Sequence, residues 1–175
     1  FIQLSALGIS VAEDSKYAQS KLNGERAIKN NFPKAVILRP SVVYSVDDNF
    51  TTSFMTLLNR LPLFPLYYEG NTKFMPIHVS DLTEIIYTIV SREVISSTIE
   101  CIGNETMTFR EILKRLLKLI NKKRLLVPLP FLIAKISAMF FQLLPTPLIT
   151  IDQLQLLAYD NIKSGKYKTV LLLTL

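Results

Sequence analysis

The first 45 residues hold two short apolar runs on either side of one amphipathic stretch. Residues 1–4 and 35–38 are apolar runs of strand length, and turn residues bound each of them. Between them a stripe of residues recurs at helical spacing: Tyr17, Lys21, Gly24 and Ile28. Asp14 or Ser15 can cap the start of this helix, and Gly24 predicts the close approach of another backbone. Strand, helix and strand in this order predict a parallel crossover that begins with a buried strand.

After residue 45 the apolar positions predict a second unit. Helical spacing recurs twice, at Phe50, Phe54, Leu57, Leu58 and Leu61 and again at Leu82, Ile85, Ile86, Ile89 and Val90. A strand is predicted at 73–77, between these helices. Thr108 and Glu111 have the spacing of a capping box, which begins a third helix.

Charge and hydropathy single out residues 114–144. Six cations lie within eleven residues that contain no acid: Lys114, Arg115, Lys118, Lys122, Lys123 and Arg124. Residues 131–144 are almost continuously apolar, but a helix needs about 20 residues to cross a bilayer. Two interpretations stay open for 114–144: a solvated face beside a core helix, or peripheral docking on lipid or on a membrane-associated partner.

Other compositional features exclude some classes of function. Hydrophobic residues make up 49% of the chain and charged residues 19%, which is too apolar for a disordered protein. One cysteine and one histidine cannot form a disulfide within the chain or a zinc site, so no metal is expected. No recognition motif accompanies the basic cluster, and we expect no nucleic-acid partner.

Tyr17 and Lys21 are the candidate chemical groups. They are one helical turn apart and share a face. A phenol titrates near ~10, and a neighbouring ammonium favours the phenolate and so lowers that pKa. The pair can therefore support proton transfer, although the spacing alone also occurs in ordinary exposed helices.

With its strand on either side, this helix resembles the Tyr-x-x-x-Lys helix of the extended and atypical short-chain dehydrogenase/reductase family, which includes NAD-dependent epimerases and dehydratases. Three further segments are similar to that family: residues 38–44 (Leu-Arg-Pro-Ser-Val-Val-Tyr), 76–82 (Pro-Ile-His-Val-Ser-Asp-Leu) and 100–103 (Glu-Cys-Ile-Gly). Within the family, residues 4–8, 39–50, 125–130, 144–145 and 150–153 resemble the NADPH-binding accessory subunits of respiratory complex I and their alphaproteobacterial relatives.

The resemblance implies an α/β fold. Residues 1–45 would be the C-terminal part of a Rossmann-type parallel sheet domain. Residues 46–161 would be a smaller mixed α/β domain for substrate or partner, with apolar C-terminal helices, and 162–175 a divergent tail.

The resemblance also implies site residues and a cofactor, NADP or NAD. Tyr17 would be the acid/base. Lys21 would tune its phenol and hold the nicotinamide ribose. Pro40, Ser41, Val42 and Val43 would line the nicotinamide ring, and Ser5 would be a further cofactor contact.

The sequence departs from the family pattern at two points. Its five glycines are at 8, 24, 70, 103 and 165, and none forms the glycine-rich turn that receives a pyrophosphate. We therefore expect an N-terminally truncated product, with weak or absent cofactor binding. Active members place a serine or threonine shortly after the first strand, where Ala6 or Leu7 stands here, so the proton relay is expected to be incomplete.

Two functions follow from these expectations. The first is a partial NAD(P)-binding protein with a structural or assembly role near respiratory complex I or quinone-synthesis proteins. The second is an NAD(P)-dependent oxidoreductase or epimerase that uses Tyr17 and Lys21. The expected location is cytoplasmic, peripheral to the bacterial inner membrane, or on the matrix side in a mitochondrion.

Overall fold

The computed structural model describes residues 1–95, 97–129 and 151–170. The described elements, in chain order, are β1 (Ile2–Leu4), α1 (Lys16–Asn31), β2 (Val36–Pro40), β3 (Val43–Tyr44), α2 (Asn49–Arg60), β4 (Leu63–Leu66), a 3₁₀ turn (Tyr67–Gly70), β5 (Lys73–Phe74), β6 (Ile77–His78), α3 (Val79–Ser91), β7 (Thr98–Cys101), β8 (Met107–Thr108), α4 (Phe109–Leu119), β9 (Leu125–Pro128), α5 (Ile151–Leu156) and β10 (Lys168–Val170).

A four-stranded parallel sheet holds the fold together. Its strands lie in the order β1, β2, β7 and β10, and each neighbouring pair is parallel. The predicted parallel α/β architecture is therefore confirmed. The strands of this sheet come from all three predicted segments. The segment predicted as a divergent tail contributes β10, which pairs with β7. The division into domains at residues 45 and 161 stays a prediction.

The crossover helix α1 begins where the sequence predicts. The Ser15 hydroxyl accepts a hydrogen bond from the backbone N–H of Ala18 at 3.2 Å, which is an N-cap. The helix ends at Asn31, two residues before Pro33. The expectation for Gly24 is wrong, because nothing lies within 4 Å of the position that a Cβ would occupy there.

The first strand is less buried than predicted. Leu4 is 44% exposed, and Phe1, just before the strand, is 65% exposed. The reason is the position of β1 at the edge of the described sheet, where it pairs with β2 alone.

The predicted helices after residue 45 pack on two apolar clusters. Helices α2 and α4 share the first, together with β4 and β5; its buried members are Leu58, Phe64, Leu66, Phe74, Phe109, Ile112, Leu113, Leu116 and Leu117. Helix α3 packs on the sheet through Leu82, Ile85 and Ile89. The capping box is confirmed: Glu111 N–H donates to the Thr108 hydroxyl, and the Thr108 N–H donates back to the Glu111 carboxylate.

The single strand predicted at 73–77 is two short strands, β5 and β6, with Met75 and Pro76 between them. Pro76 has no N–H to donate to a ladder, which interrupts strand pairing. The chain also passes very close to Gly103 here. A Cβ on Gly103 would lie 1.9 Å from the Pro76 carbonyl oxygen, so only glycine fits.

Within residues 1–95, 97–129 and 151–170, no helix is long and apolar enough to cross a membrane. The same residues contain no group of three or more His, Cys, Asp or Glu side chains that could hold a metal. The apolar run 131–144 lies outside the described residues.

Candidate functional site

A cleft of about 1070 Å³ lies beside the start of α1. Its walls include the loop after β1, the end of β2, one face of α2 and residues 152–161, together with side chains of β4, the 3₁₀ turn, β5 and α4. Tyr17 enters it from α1. The carboxyl ends of parallel strands are where α/β proteins usually bind ligands, so this cleft is the candidate functional site.

Tyr17 and Lys21 have the predicted arrangement. The Lys21 ammonium lies over the Tyr17 ring, 5.7 Å from its centroid. Tyr17 is 44% exposed and lines the cleft, whereas Lys21 is not among the lining residues. The expected lowering of the phenol pKa is not found, because burial raises the pKa of Tyr17.

A carboxylate on α5 binds the start of α1. Asp152 on α5 accepts hydrogen bonds from the backbone N–H of Lys16 at 2.7 Å and from the Ser15 hydroxyl at 3.1 Å. It also accepts a longer bond from the N–H of Tyr17, at 3.4 Å. The carboxylate neutralises the positive end of the helix and so orients the turn that carries Tyr17.

Three of the four residues predicted to line the nicotinamide ring lie in the cleft. Pro40, Ser41 and Val42 line the cleft, whereas Val43 does not. The Ser41 hydroxyl is already occupied, since it donates to the Asn161 side-chain oxygen at 2.6 Å. Asn161 in turn donates to the Leu7 carbonyl at 2.8 Å. Asn161 thus joins the ends of β1 and β2 at the cleft.

Ser5 points away from the cleft. Its side chain is buried and is absent from the cleft lining, where Ala6 and Leu7 represent this segment. Its hydroxyl contributes to a lowered pKa of Glu25 without reaching the geometry of a hydrogen bond to any described residue. The predicted cofactor contact of Ser5 stays a prediction.

A buried ion pair lies behind the site. Nε and Nη2 of Arg39 donate to the two carboxylate oxygens of Glu25 at 2.8 and 2.7 Å. Burial opposes the Glu25 charge, but the bonds from Arg39 outweigh it and leave the pKa of Glu25 below its ordinary value. The guanidinium of Arg39 also lies 4.7 Å from the ring centroid of Tyr167, a cation–π contact.

Sequence reasoning did not assign Glu25, Arg39, Asp152 or Asn161 to this region. Arg39 carries a usable signal, because a charge at the end of an apolar strand needs a buried partner. Asp152 and Asn161 lie more than a hundred residues from their partners, and no local pattern marks them.

The single histidine has a structural role. His78 precedes α3, and its Nδ1 accepts from the backbone N–H of Ser80 at 3.3 Å and lies 2.7 Å from the Ser80 hydroxyl. It is not a cleft residue.

Comparison with known proteins identifies the family. The profile of the RmlD substrate binding domain matches residues 12–140, which is most of the chain. The chain belongs to this family. The matched region includes the Tyr17 helix, the predicted nicotinamide-lining residues 40–43 and the basic cluster 114–124.

Two curated relatives match more than two thirds of the chain. The chain is 29% identical to NADH dehydrogenase [ubiquinone] 1 alpha subcomplex subunit 9, mitochondrial, of Arabidopsis thaliana, over 94% of the chain and 44% of that subunit. It is 28% identical to ceramide reductase of Caulobacter vibrioides, over 74% of the chain and 41% of that enzyme. The chain thus spans less than half the length of these relatives.

A solved structure confirms the fold. The dTDP-4-dehydrorhamnose reductase of Bacillus anthracis, in complex with NADP, superposes with a TM-score of 0.63 at 18% identity. The superposition covers 76% of this chain and 51% of the reductase. The chain therefore shares the Rossmann-type fold of that enzyme over about three quarters of its length.

Proposed function

We propose that this chain is the C-terminal part of an NAD(P)-binding protein with a structural or assembly role near respiratory complex I. The observation that carries the proposal is the cleft around Tyr17. Tyr17 lines the same cleft as Pro40 to Val42 and has the Lys21 ammonium over its ring, but the segment after β1 supplies Ala6 and Leu7 where a reductase needs a hydroxyl. Such a site can hold a nicotinamide ribose more readily than it can move protons.

The cofactor of this proposal is NADP or NAD, and the described cleft fits its nicotinamide end. Lys21 would hold the ribose, and Pro40, Ser41 and Val42 would cover one side of the ring. When bound, the dinucleotide supplies a hydride donor or acceptor. The glycine turn that anchors the pyrophosphate is missing from the sequence, so weak binding by this chain alone is part of the proposal.

The proposed partners are subunits of respiratory complex I, and quinone-synthesis proteins are the alternative partners. The similarity to the Arabidopsis subunit, which runs along 94% of the chain, supports the first. The proposed location follows: the cytoplasmic face of the bacterial inner membrane, or the matrix side in a mitochondrion.

Peripheral contact with a membrane or membrane partner would use the basic cluster of 114–124. Two of its cations are engaged within the chain: Arg115 donates to the Glu105 carboxylate, and Arg124 donates to the carbonyl of Leu58 at 2.9 Å. Lys114 and Lys118 are exposed on α4, where they can meet anionic groups.

Titration of the purified protein with NADPH tests cofactor binding, and copurification with complex I tests the assembly role. We expect measurable but weak NADPH binding that falls in Lys21→Met and is unchanged in Lys29→Met, a control on the same helix. Tight binding unaffected by Lys21→Met would contradict the proposed ribose site. A protein that never copurifies with complex I or quinone-synthesis proteins would contradict the assembly role.

The second candidate function is an NAD(P)-dependent oxidoreductase or epimerase. The ammonium of Lys21 lies over the Tyr17 ring, and the similarity to ceramide reductase covers 74% of the chain. In this candidate, Tyr17→Phe abolishes turnover while NADPH binding persists, and Tyr87→Phe on the exposed face of α3 changes neither. Turnover that survives Tyr17→Phe would remove Tyr17 from the reaction.

A further inference from the structure

We propose that the cleft binds an amphiphile with one long apolar chain and an anionic head group, with the chain against the phenylalanines of α2 and its neighbours and the head at Arg60. The inference deepens the proposed function and rests on it, because Tyr17 enters the same cleft. It names the class of molecule that would lie beside the nicotinamide.

The wall opposite Tyr17 is a connected set of five phenylalanine rings, which we call the phenylalanine cluster: Phe50, Phe54, Phe64, Phe74 and Phe109. All five line the cleft. Phe54 joins three of the others, with ring centroids 5.0 Å from Phe50, 6.0 Å from Phe64 and 5.2 Å from Phe109. Leu57 and Leu61 continue this apolar surface along α2. Phe64, Phe74 and Phe109 are themselves buried and support the half-buried side chains of Phe50, Phe54, Leu57 and Leu61, whose remaining exposed carbon a ligand chain would cover.

Most polar groups on the described lining already have protein partners. The Asp152 carboxylate caps α1, and Asp160 accepts from the backbone N–H of Lys73 at 2.8 Å. The amides at the start of α2 are occupied as well, since Asp48 accepts from the Thr51 N–H at 2.6 Å. Neither helix start is therefore open to the phosphates of a nucleotide sugar.

One charged side chain of the described lining has no such partner. Arg60, at the end of α2, is exposed, and it has no salt bridge or side-chain hydrogen bond within the part of the chain that the structure describes. One free guanidinium beside an apolar wall is complementary to a single anionic group on a long hydrocarbon chain. A nucleoside diphosphate would bring two or more charges and a polar sugar to the same surface.

The test is calorimetric titration of the purified protein with octanoate, decanoate and dodecanoate, each below its micelle concentration, with and without NADPH. We expect one site, with affinity rising by up to about fourfold for each added methylene. Arg60→Gln should weaken dodecanoate by about two- to fivefold, the effect of an exposed ion pair, and leave dodecanol unchanged.

Ser53→Trp adds bulk on the cleft side of α2 without removing a core contact, because Ser53 is exposed. It should abolish dodecanoate binding, whereas Ser20→Trp on an exposed position of α1 should not. Affinity that is independent of chain length, an equal loss in both tryptophan variants, or tighter binding of a nucleoside diphosphate would overturn the inference. NADPH binding without dodecanoate binding would refute this inference alone, and the reverse would refute the cofactor proposal.

Discussion

Replacing Arg39 with methionine is expected to cost about 3–5 kcal/mol of folding free energy, because it leaves a carboxylate buried without its partner. Only 7% of the Arg39 side chain and 6% of the Glu25 side chain are exposed, so water cannot replace the lost bonds. The variant also loses the contact with Tyr167 and the bond from Nη1 to the Ser10 hydroxyl at 3.1 Å. Domains are typically stable by about 5–15 kcal/mol, so the loss is a large share of the total.

Urea unfolding followed by far-ultraviolet circular dichroism measures the change, since the chain has no tryptophan. With a slope of about 2 kcal/mol per molar urea, a loss of ~4 kcal/mol lowers the midpoint by about 2 M. The matched control is Arg26→Met, an exposed arginine on the same helix as Glu25, which should change stability by about 0.5 kcal/mol or less.

The pH dependence has a definite sign. The folded pKa of Glu25 is lowered, so its carboxylate stabilises the native protein above about pH 4.3, and this contribution disappears as the pH falls through the lowered folded value. The difference in unfolding free energy between the unsubstituted protein and Arg39→Met should therefore become smaller in acid.

The double variant Glu25→Leu with Arg39→Met should recover most of the loss, because an apolar pair of similar volume removes the buried charge. A loss in Arg39→Met below about 1 kcal/mol, the value of an exposed pair, would refute this reasoning. So would a double variant that is no more stable than Arg39→Met.

Three further predictions concern single contacts. Burial raises the pKa of the Cys101 thiol to about 12, so a thiol reagent at pH 8 should label the native protein very slowly and the urea-unfolded protein at once; rapid native labelling would contradict the burial. Thr108→Ala removes the capping box and should cost about 1 kcal/mol in urea unfolding, whereas Thr83→Ala, an exposed position on α3, should cost less; equal costs would count against the cap. Asn161→Ala should cost about 1–3 kcal/mol, because it leaves the Leu7 carbonyl without its side-chain donor and leaves the Ser41 hydroxyl with only the longer bond to the backbone carbonyl of residue 161, at 3.3 Å; adding Ser41→Ala should cost little more, and strictly additive losses would contradict the coupling.

The sequence was sufficient wherever the determinants were local. Helical spacing along the sequence located α1, α2 and α3. Side-chain chemistry located the cap at Thr108 and narrowed the cap of α1 to Asp14 or Ser15, of which the structure uses Ser15. The Tyr17 and Lys21 pair was found because a helix fixes the geometry of residues four apart.

Features that depend on distant segments were not predicted. The partner of β10 is β7, far back along the chain, and parallel pairing leaves no signal in the connecting sequence. The raised pKa of Tyr17 depends on how much of the ring the fold covers, which spacing does not reveal. Gly24 shows the opposite failure: a local pattern suggested a close backbone contact that the tertiary structure does not make.

The cap that Asp152 places on α1 has a consequence for biosynthesis. Lys16 and Asp152 are 136 residues apart, and a ribosome adds about 5–20 residues per second, so the start of the helix that carries Tyr17 is synthesised about 7–27 s before its carboxylate partner. During that interval the helix has only Ser15 as its cap. The cleft therefore assembles only after residues 152–161 have been made, and a nascent chain that stalls before residue 152 displays the tyrosine helix without the contacts that orient it.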